Sequence, residues 1–282
     1  MKGFANIGNT CYLNSGLQLI VQNTNLCNLI LNYRNYNNDI KIIGDFIETY
    51  YSLDNTTIIP SNIKKLVEKK NNIFIGNNQH DAGEFIIFFL DLIDEEIKKH
   101  QSIKIGIKPL FNIKSNIRIK CKNMACLNIT NTLDENNYLL LDIGDECKTL
   151  TDAYELSKSA DKLCDDNMYN CLNCKMKTIA SKRTQVIEWN DNLIIILKRF
   201  KQDGIKLYKN NKELEIPLLW RKKYQLYGGV IHSGALNGGH YTYVGFHNNK
   251  WYHFNDSQVS EINDNEISNY TKNAYILYYK VI

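Results

Sequence analysis

Two side chains far apart in this 282-residue chain have the types and settings of a nucleophile and its base. Cys11 stands in front of an apolar pattern, Leu13, Leu17, Ile20 and Val21, that predicts one amphipathic helix running toward Leu31, with Asn9 or Thr10 as its N-cap. A thiol at that place faces unpaired helix-terminal N–H groups and the positive end of the helix dipole, and both lower its pKa. Gly8-Asn9-Thr10 before it can form a tight turn with a polar amide close to a developing oxyanion. Position alone also fits a small buried hydrophobe, so the chemistry depends on a base elsewhere.

His240 is the candidate base. It follows Gly238-Gly239 and opens the aromatic strand His240-Tyr241-Thr242-Tyr243. The next strand, Trp251-Tyr252-His253-Phe254, ends at Asn255-Asp256. A hairpin of the two sets Asn255 beside His240, where its side-chain oxygen would hold the imidazole tautomer and aim the ring at Cys11. That is the Cys–His–amide arrangement of papain-like hydrolases. Without Cys11 in view, His240 reads as readily as a surface histidine.

A second kind of chemistry lies in the middle. Cys171-Leu172-Asn173-Cys174 has the spacing that brings two thiolates to one tetrahedral zinc ion. Cys121 and Cys126 form a wider pair earlier, and Cys147 and Cys164 are alternative ligands. A lone C-x-x-C also suits redox chemistry or two buried thiols. The opening residues Met1 to Asn6 lack the apolar run of a secretory leader, so thiol or metal use is expected over disulfides.

The elements that must hold these residues follow from pattern. Pro60 to Lys70 predicts a short helix and Gln79 to Lys99 a longer one, burying Phe85, Ile86, Phe89, Leu90 and Ile93. Ile103, Ile105 and Ile107, then Ile113, Ile117 and Ile119, alternate at strand period. A helix is expected around Thr149 to Leu163. Strands are expected at Leu193–Phe200, Gln225–Ile231, Tyr241–His247, Trp251–Phe254 and Ala274–Val281. The class is therefore α+β, with a helical start, an extended cysteine-bearing insert and an antiparallel β end.

Composition narrows the function classes. Hydrophobic residues at 44% and charged residues at 23% exclude a disordered tail, a collagen-like fibre and a transmembrane bundle. A net charge of +4, from 34 basic and 30 acidic side chains that are scattered, gives no basic face for nucleic acid or membrane.

Three segments carry a resemblance. Gly3 to Ser15, reading GFANIGNTCYLNS, closely resembles the cysteine box of the ubiquitin-specific proteases. Gln79-His80-Asp81-Ala82-Gly83-Glu84-Phe85 resembles their second box. Gly238-Gly239-His240-Tyr241 with Trp251 to Ser257 resembles the third, and Tyr275 to Tyr279 closes the domain. The boxes lie in family order across the whole chain.

The resemblance implies a papain-like cysteine peptidase fold over residues 1–282: a thumb at about 1–100, a β-rich zinc fingers insert at 101–190 and an antiparallel palm at 191–282. It implies a thiol-dependent deubiquitinase cutting after the C-terminal glycine of ubiquitin. Cys11 would be the nucleophile, His240 the base, Asn255 its partner with Asp256 assisting, and Asn6 an oxyanion donor beside the Cys11 N–H. Gln79, Asp81, Glu84, His232, Gly239 and Tyr241 would meet the ubiquitin tail, Asp81 by pairing with its arginines, while Gln79 and Glu84 could instead hold neighbouring backbone or helix ends. His80 replaces a residue that is often Gln in the family. Residues 233–237 would form a loop over the cleft.

Cys121, Cys126, Cys171 and Cys174 would hold one structural zinc ion, with no catalytic cofactor. The implied partners are ubiquitin and its conjugates, not nucleic acid or membrane. A monomeric catalytic domain in the cytosol or nucleus is expected. The alternatives are a non-catalytic ubiquitin-binding module of the same fold and a protease for another ubiquitin-like modifier.

Overall fold

The structure is a computed structural model and describes every residue except 54–55, 101–105, 204–205 and 236–237, and of 202, 203, 206 and 207 the backbone alone. Five helices open the chain: α1 (Cys11–Gln22), α2 (Thr24–Tyr33), α3 (Asn38–Tyr51), α4 (Ser61–Lys70) and α5 (Ala82–Lys98). The single helix expected through Leu31 is two. Asn23 breaks it by leaving helical backbone, and its side chain caps α2 by accepting the Leu26 N–H at 3.0 Å. Every residue of α1 from Cys11 to Val21 is buried, as expected of a helix inside a core. At Gly16 a Cβ would lie 2.5 Å from the Phe85 ring, so glycine lets α1 and α5 pack at close range. Asp81 caps α5, its carboxylate accepting the Gly83 and Glu84 N–H groups.

The middle of the chain holds α6 (Lys108–Phe111), β1 (Ile113–Cys121), β2 (Ile129–Asn136), β3 (Leu139–Asp142), α7 (Leu150–Ser157), β4 (Asp161–Leu163), β5 (Tyr169–Cys171), β6 (Met176–Thr178) and β7 (Ala180–Glu188). Ile103 and Ile105 lie outside the described residues. Ile107 is not in a strand: it precedes α6, where Pro109 favours a helical first turn. The helix expected to Leu163 stops at Ser157, and Asp161–Leu163 pairs with β7 instead. A four-stranded sheet in the order β2-β1-β7-β4 forms the fingers, and the β5-β6 ribbon lies near its cysteine end.

The remainder comprises β8 (Asn192–Lys198), β9 (Phe200–Asp203), β10 (Lys206–Lys209), β11 (Leu219–Trp220), β12 (Tyr224–Ala235), β13 (Gly238–His247), β14 (Lys250–Asn255), β15 (Gln258–Ile262), α8 (Ile267–Thr271) and β16 (Ala274–Val281). The palm sheet runs β15-β14-β13-β12-β16-β8-β3, with β11 attached to β12. Its last strand departs from the expected antiparallel plan. β3 comes from the fingers segment and pairs in parallel with β8, while α7 packs its Leu150, Ala153 and Tyr154 into the palm core. Residues 139–157 thus belong physically to the palm.

Strand alternation divides the core in two. Ile194 and Ile196 of β8 face the thumb helices, and Leu193, Ile195 and Leu197 face α7 and Trp220. All five are buried, each contributing roughly 1.5–3 kcal/mol. β2 has no buried residue at all, and Leu133 on it is exposed. The palm supports itself by burial; the fingers do not. Among the described residues no helix is long and apolar enough to cross a membrane.

Candidate active site

The turn before α1 is built from left-handed backbone. Gly8 has φ 118° and Asn9 φ 52°, the region open to glycine and tolerated by asparagine. Asn6 locks this turn, its Oδ1 accepting the Gly8 N–H at 3.2 Å and the Thr10 N–H at 3.1 Å. Its Nδ2 donates to Asp256 Oδ2 at 2.9 Å. The other Asp256 oxygen accepts from Asn14 Nδ2 at 2.7 Å, and the Asp256 carbonyl accepts the Phe4 N–H. One proton of the Asn6 amide is thus committed to Asp256.

Asp256 was expected to assist the imidazole. Its backbone has φ 50°, and its carboxylate turns to the two amides instead. Asn14 carries no role in the sequence reading. The signal was present: it lies three residues after Cys11, on the same face one helical turn along.

His240 Nε2 lies 2.7 Å from Asn255 Oδ1. The amide oxygen accepts, so Nε2 carries the proton and Nδ1 is the basic nitrogen. β13 and β14 pair from Tyr243–Phe254 onward, and the His240–Asn255 bond continues their contact one step beyond the ladder. α1 packs against β13, the strand that carries His240, and the Tyr241 backbone N–H beside that histidine is among the groups that lower the Cys11 pKa. The structure therefore brings the head of α1 to the strand of the base.

Thiol acidity runs against the expectation from the helix terminus. Cys11 is only 5% exposed, and burial raises its pKa above the ordinary value; the Asp256 charge raises it further. The N–H groups of Tyr241, Tyr12 and Cys11 pull it down, and burial wins. The sign follows: below the raised pKa the lone thiol stays protonated. In His240→Ala, the rate of Cys11 alkylation by iodoacetamide should keep rising beyond pH 9, whereas the wild type should level off at lower pH. A plateau near pH 7 in the variant would show that the helix terminus suffices.

A cleft of about 440 Å³ separates thumb from palm. Gln79, Asp81 and Glu84 line it from α5 and the segment before it, and Phe200, His232, Tyr241 and Tyr275 face them. Asp81 is already engaged: besides capping α5 it accepts Tyr275 Oη at 2.7 Å and Tyr241 Oη at 3.3 Å. Glu84 lines the cleft, where partial desolvation of its carboxylate, with the Asp81 charge second, raises its pKa. Gln79 bonds the backbone of Gly239.

His232 is a wall residue, packed against Phe200 and Tyr241. Burial first, then Lys209 and His240, push its pKa down to about 4, so it is neutral. Gly239 has no side chain because a Cβ there would lie 2.0 Å from His232 Nε2. His80 packs edge-on to Tyr12 and Phe74. Of the loop expected over the cleft, 233–235 extend β12 and 236–237 lie outside the described residues.

In the fingers the sulfurs of Cys121, Cys126, Cys171 and Cys174 all lie within 4.8 Å of one another. Cys121 and Cys174 are 4.0 Å apart, and Cys126 and Cys171 3.8 Å. Four thiolates at 2.3 Å around a tetrahedral ion would be about 3.8 Å apart, so the donor set fits a metal. The residue after each pair, Leu127 at φ 48° and Lys175 at φ 55°, turns left-handed, giving both pairs one knuckle shape despite unequal spacing. Cys147 sits in the palm core and Cys164 bonds Asp165; neither joins the cluster.

Comparison with known proteins agrees with this architecture. The family model described as ubiquitin carboxyl-terminal hydrolase matches residues 2–279. The probable ubiquitin carboxyl-terminal hydrolase 8 of Schizosaccharomyces pombe is 27% identical over 99% of this chain and 64% of its own length. The human ubiquitin carboxyl-terminal hydrolase 2 is 25% identical over 100% of this chain and 55% of its own. The chain thus spans less than two thirds of these relatives. A chain of the SAGA Ubp8/Sgf11/Sus1/Sgf73 DUB module bound to ubiquitin aldehyde superposes with a TM-score of 0.81 at 23% identity, over 100% of this chain and 70% of that one. With its cysteine-headed helix, its palm and its four-cysteine fingers, the chain belongs to the ubiquitin carboxyl-terminal hydrolase family, the ubiquitin-specific deubiquitinating cysteine peptidases.

Proposed function

We propose that this chain hydrolyses the isopeptide or peptide bond that follows the C-terminal glycine of ubiquitin. The observation that carries the reading is helix α1, headed by Cys11, packed against the strand whose His240 ring is held by Asn255 at 2.7 Å. Support also comes from the solved relative, which is bound to ubiquitin aldehyde.

The residues divide the work as follows. His240 Nδ1 takes the Cys11 proton, and the thiolate attacks the glycine carbonyl carbon. The oxyanion receives the free Asn6 Nδ2 proton and the Cys11 N–H. Collapse of the tetrahedral species breaks the C–N bond, and imidazolium protonates the departing amine. Water, deprotonated by His240, then cleaves the thioester, returning the thiol and the free carboxylate. Asn255 orients the ring without adding a charge.

Glu84 is the acidic group open to the arginines of the tail, while Asp81 fixes Tyr241 and Tyr275 as cleft wall. A ubiquitin-like modifier with another tail would miss these contacts. The four cysteines of the fingers hold zinc, which supplies a structural cross-link. The reduced thiols that both sites need suit the cytosol or nucleus.

The test is turnover of a ubiquitin–fluorophore amide together with labelling by a ubiquitin C-terminal electrophile. Turnover and adduct formation on Cys11, both lost in Cys11→Ala, are expected. Ubiquitin binding with neither turnover nor adduct would identify a non-catalytic module.

A further inference from the structure

Gln79 ties the thumb to the strand of the base. Its Nε2 donates to the Gly239 carbonyl at 3.1 Å, and its Oε1 accepts the Gly239 N–H at 3.3 Å. These two bonds to one residue are what a neighbouring β strand would supply, here made by a primary amide 160 positions away. The strand partner is missing at that point: β14 pairs with β13 only from Tyr243 onward, so the outer edge of Gly239 has no ladder. On the inner side Gly239 pairs with Gly234, and the His232 ring occupies the place of its Cβ. A glycine held on one side alone has wide conformational freedom, and the residue it would misdirect is His240.

The segment bearing Gln79 is itself anchored. Lys64 Nζ donates to the Phe74 and Gly76 carbonyls, and Glu68 accepts the Gly76 N–H. Asn9, two residues before Cys11, donates from Nδ2 to the Asn77 carbonyl at 2.8 Å. Residues 77–79 therefore form a strap with one end on the turn of the nucleophile and the other on the peptide before the base.

We infer that Gln79 is a positioning residue for His240, setting the imidazole's approach to Cys11 through the Gly239 peptide before any substrate arrives. The inference rests on the proposed Cys11–His240 pair. It differs from the tail-contact role that the family resemblance implies for Gln79, and the two roles separate in kinetics. A tail contact acts through KM; a positioning residue acts through kcat and through Cys11 reactivity in the absence of ubiquitin.

The experiment measures Cys11 alkylation by iodoacetamide from pH 5 to pH 10, with kcat and KM on a ubiquitin–fluorophore amide. It compares the wild type with Gln79→Ala, Gln79→Met and His240→Ala. Met keeps the length and bulk of Gln but neither hydrogen bond. We expect both Gln79 variants to lose about five- to tenfold in kcat and in alkylation at neutral pH, the scale of one or two hydrogen bonds, with KM within twofold. A raised KM with unchanged kcat and alkylation would overturn the inference in favour of a tail contact. So would Gln79→Met matching the wild type throughout. If His240→Ala alkylates like the wild type at every pH, the Cys11–His240 pair itself fails and takes this inference with it. Normal dependence on His240 with unaffected Gln79 variants rejects only the positioning role.

Discussion

Asp256→Ala should lower kcat/KM on a ubiquitin–fluorophore amide by about 10²–10³-fold, the cost of losing one preorganised oxyanion donor. The carboxylate is the joint that holds Asn6 Nδ2 and Asn14 Nδ2 together. Without it the Asn6 amide keeps its two acceptor bonds to the turn but loses the partner that fixes its donor side. The loss should fall in kcat, because the oxyanion exists only after attack. Ubiquitin affinity should stay within a few-fold, since Asp256 is outside the cleft lining. Asn6→Ala should cost about as much, and the double variant little more, because the two act as one unit. Additive losses would separate Asp256 from Asn6 and send the carboxylate back to the imidazole.

Removing the metal proposed at the four cysteines should have the other large effect. Stripping the protein with a strong chelator, or replacing Cys174 by Ser, should reduce ubiquitin turnover at least about tenfold while iodoacetamide still labels Cys11 at an unchanged rate. The reason lies in the contrast between the two sheets. β8 carries five consecutive buried apolar residues, whereas β2 buries none and β5 and β6 beside the cysteines have only 3 residues each. A sheet of that kind depends on a cross-link. Loss of amide-exchange protection confined to residues 113–136 and 161–188 is the expected signature. Protection lost equally from β8 and β16 would mean that the fingers and palm fold as one unit. Full turnover without metal would show the cluster to be dispensable.

Sequence pattern reveals an element where period and propensity agree. The β16 boundaries follow from a continuous apolar run, Ala274 to Tyr279, and α5 from its apolar stripe, although the helix starts at Ala82 because Asp81 is its cap. Helix α3 is harder. Its buried Ile40, Ile43, Ile47 and Tyr50 recur at helical spacing, yet Ile, Tyr and Thr favour strands, and the two signals oppose each other. The parallel placement of β3 leaves no local trace, since three leucines and an aspartate do not declare their partner strand.

The site divides the same way. Cys11, His240 and Asn255 are legible because a helix start and a hairpin put them in place. Two features are not. The direction of the Asp256 side chain depends on a positive φ at a strand end, and the sign of the Cys11 shift depends on tertiary burial outweighing the helix terminus. Cys126 joins the cluster despite its wide spacing because Leu127 turns back as Lys175 does after the other pair.

The bond from Asp256 to Asn6 spans 250 positions and that to Asn14 spans 242. During synthesis the nucleophile therefore leaves the ribosome long before its base or its clamp has been translated. A nascent chain, or one released early by a premature stop, carries the Cys11 thiol without the residues proposed to activate it. On the proposed function, competence arrives only as the final strands dock.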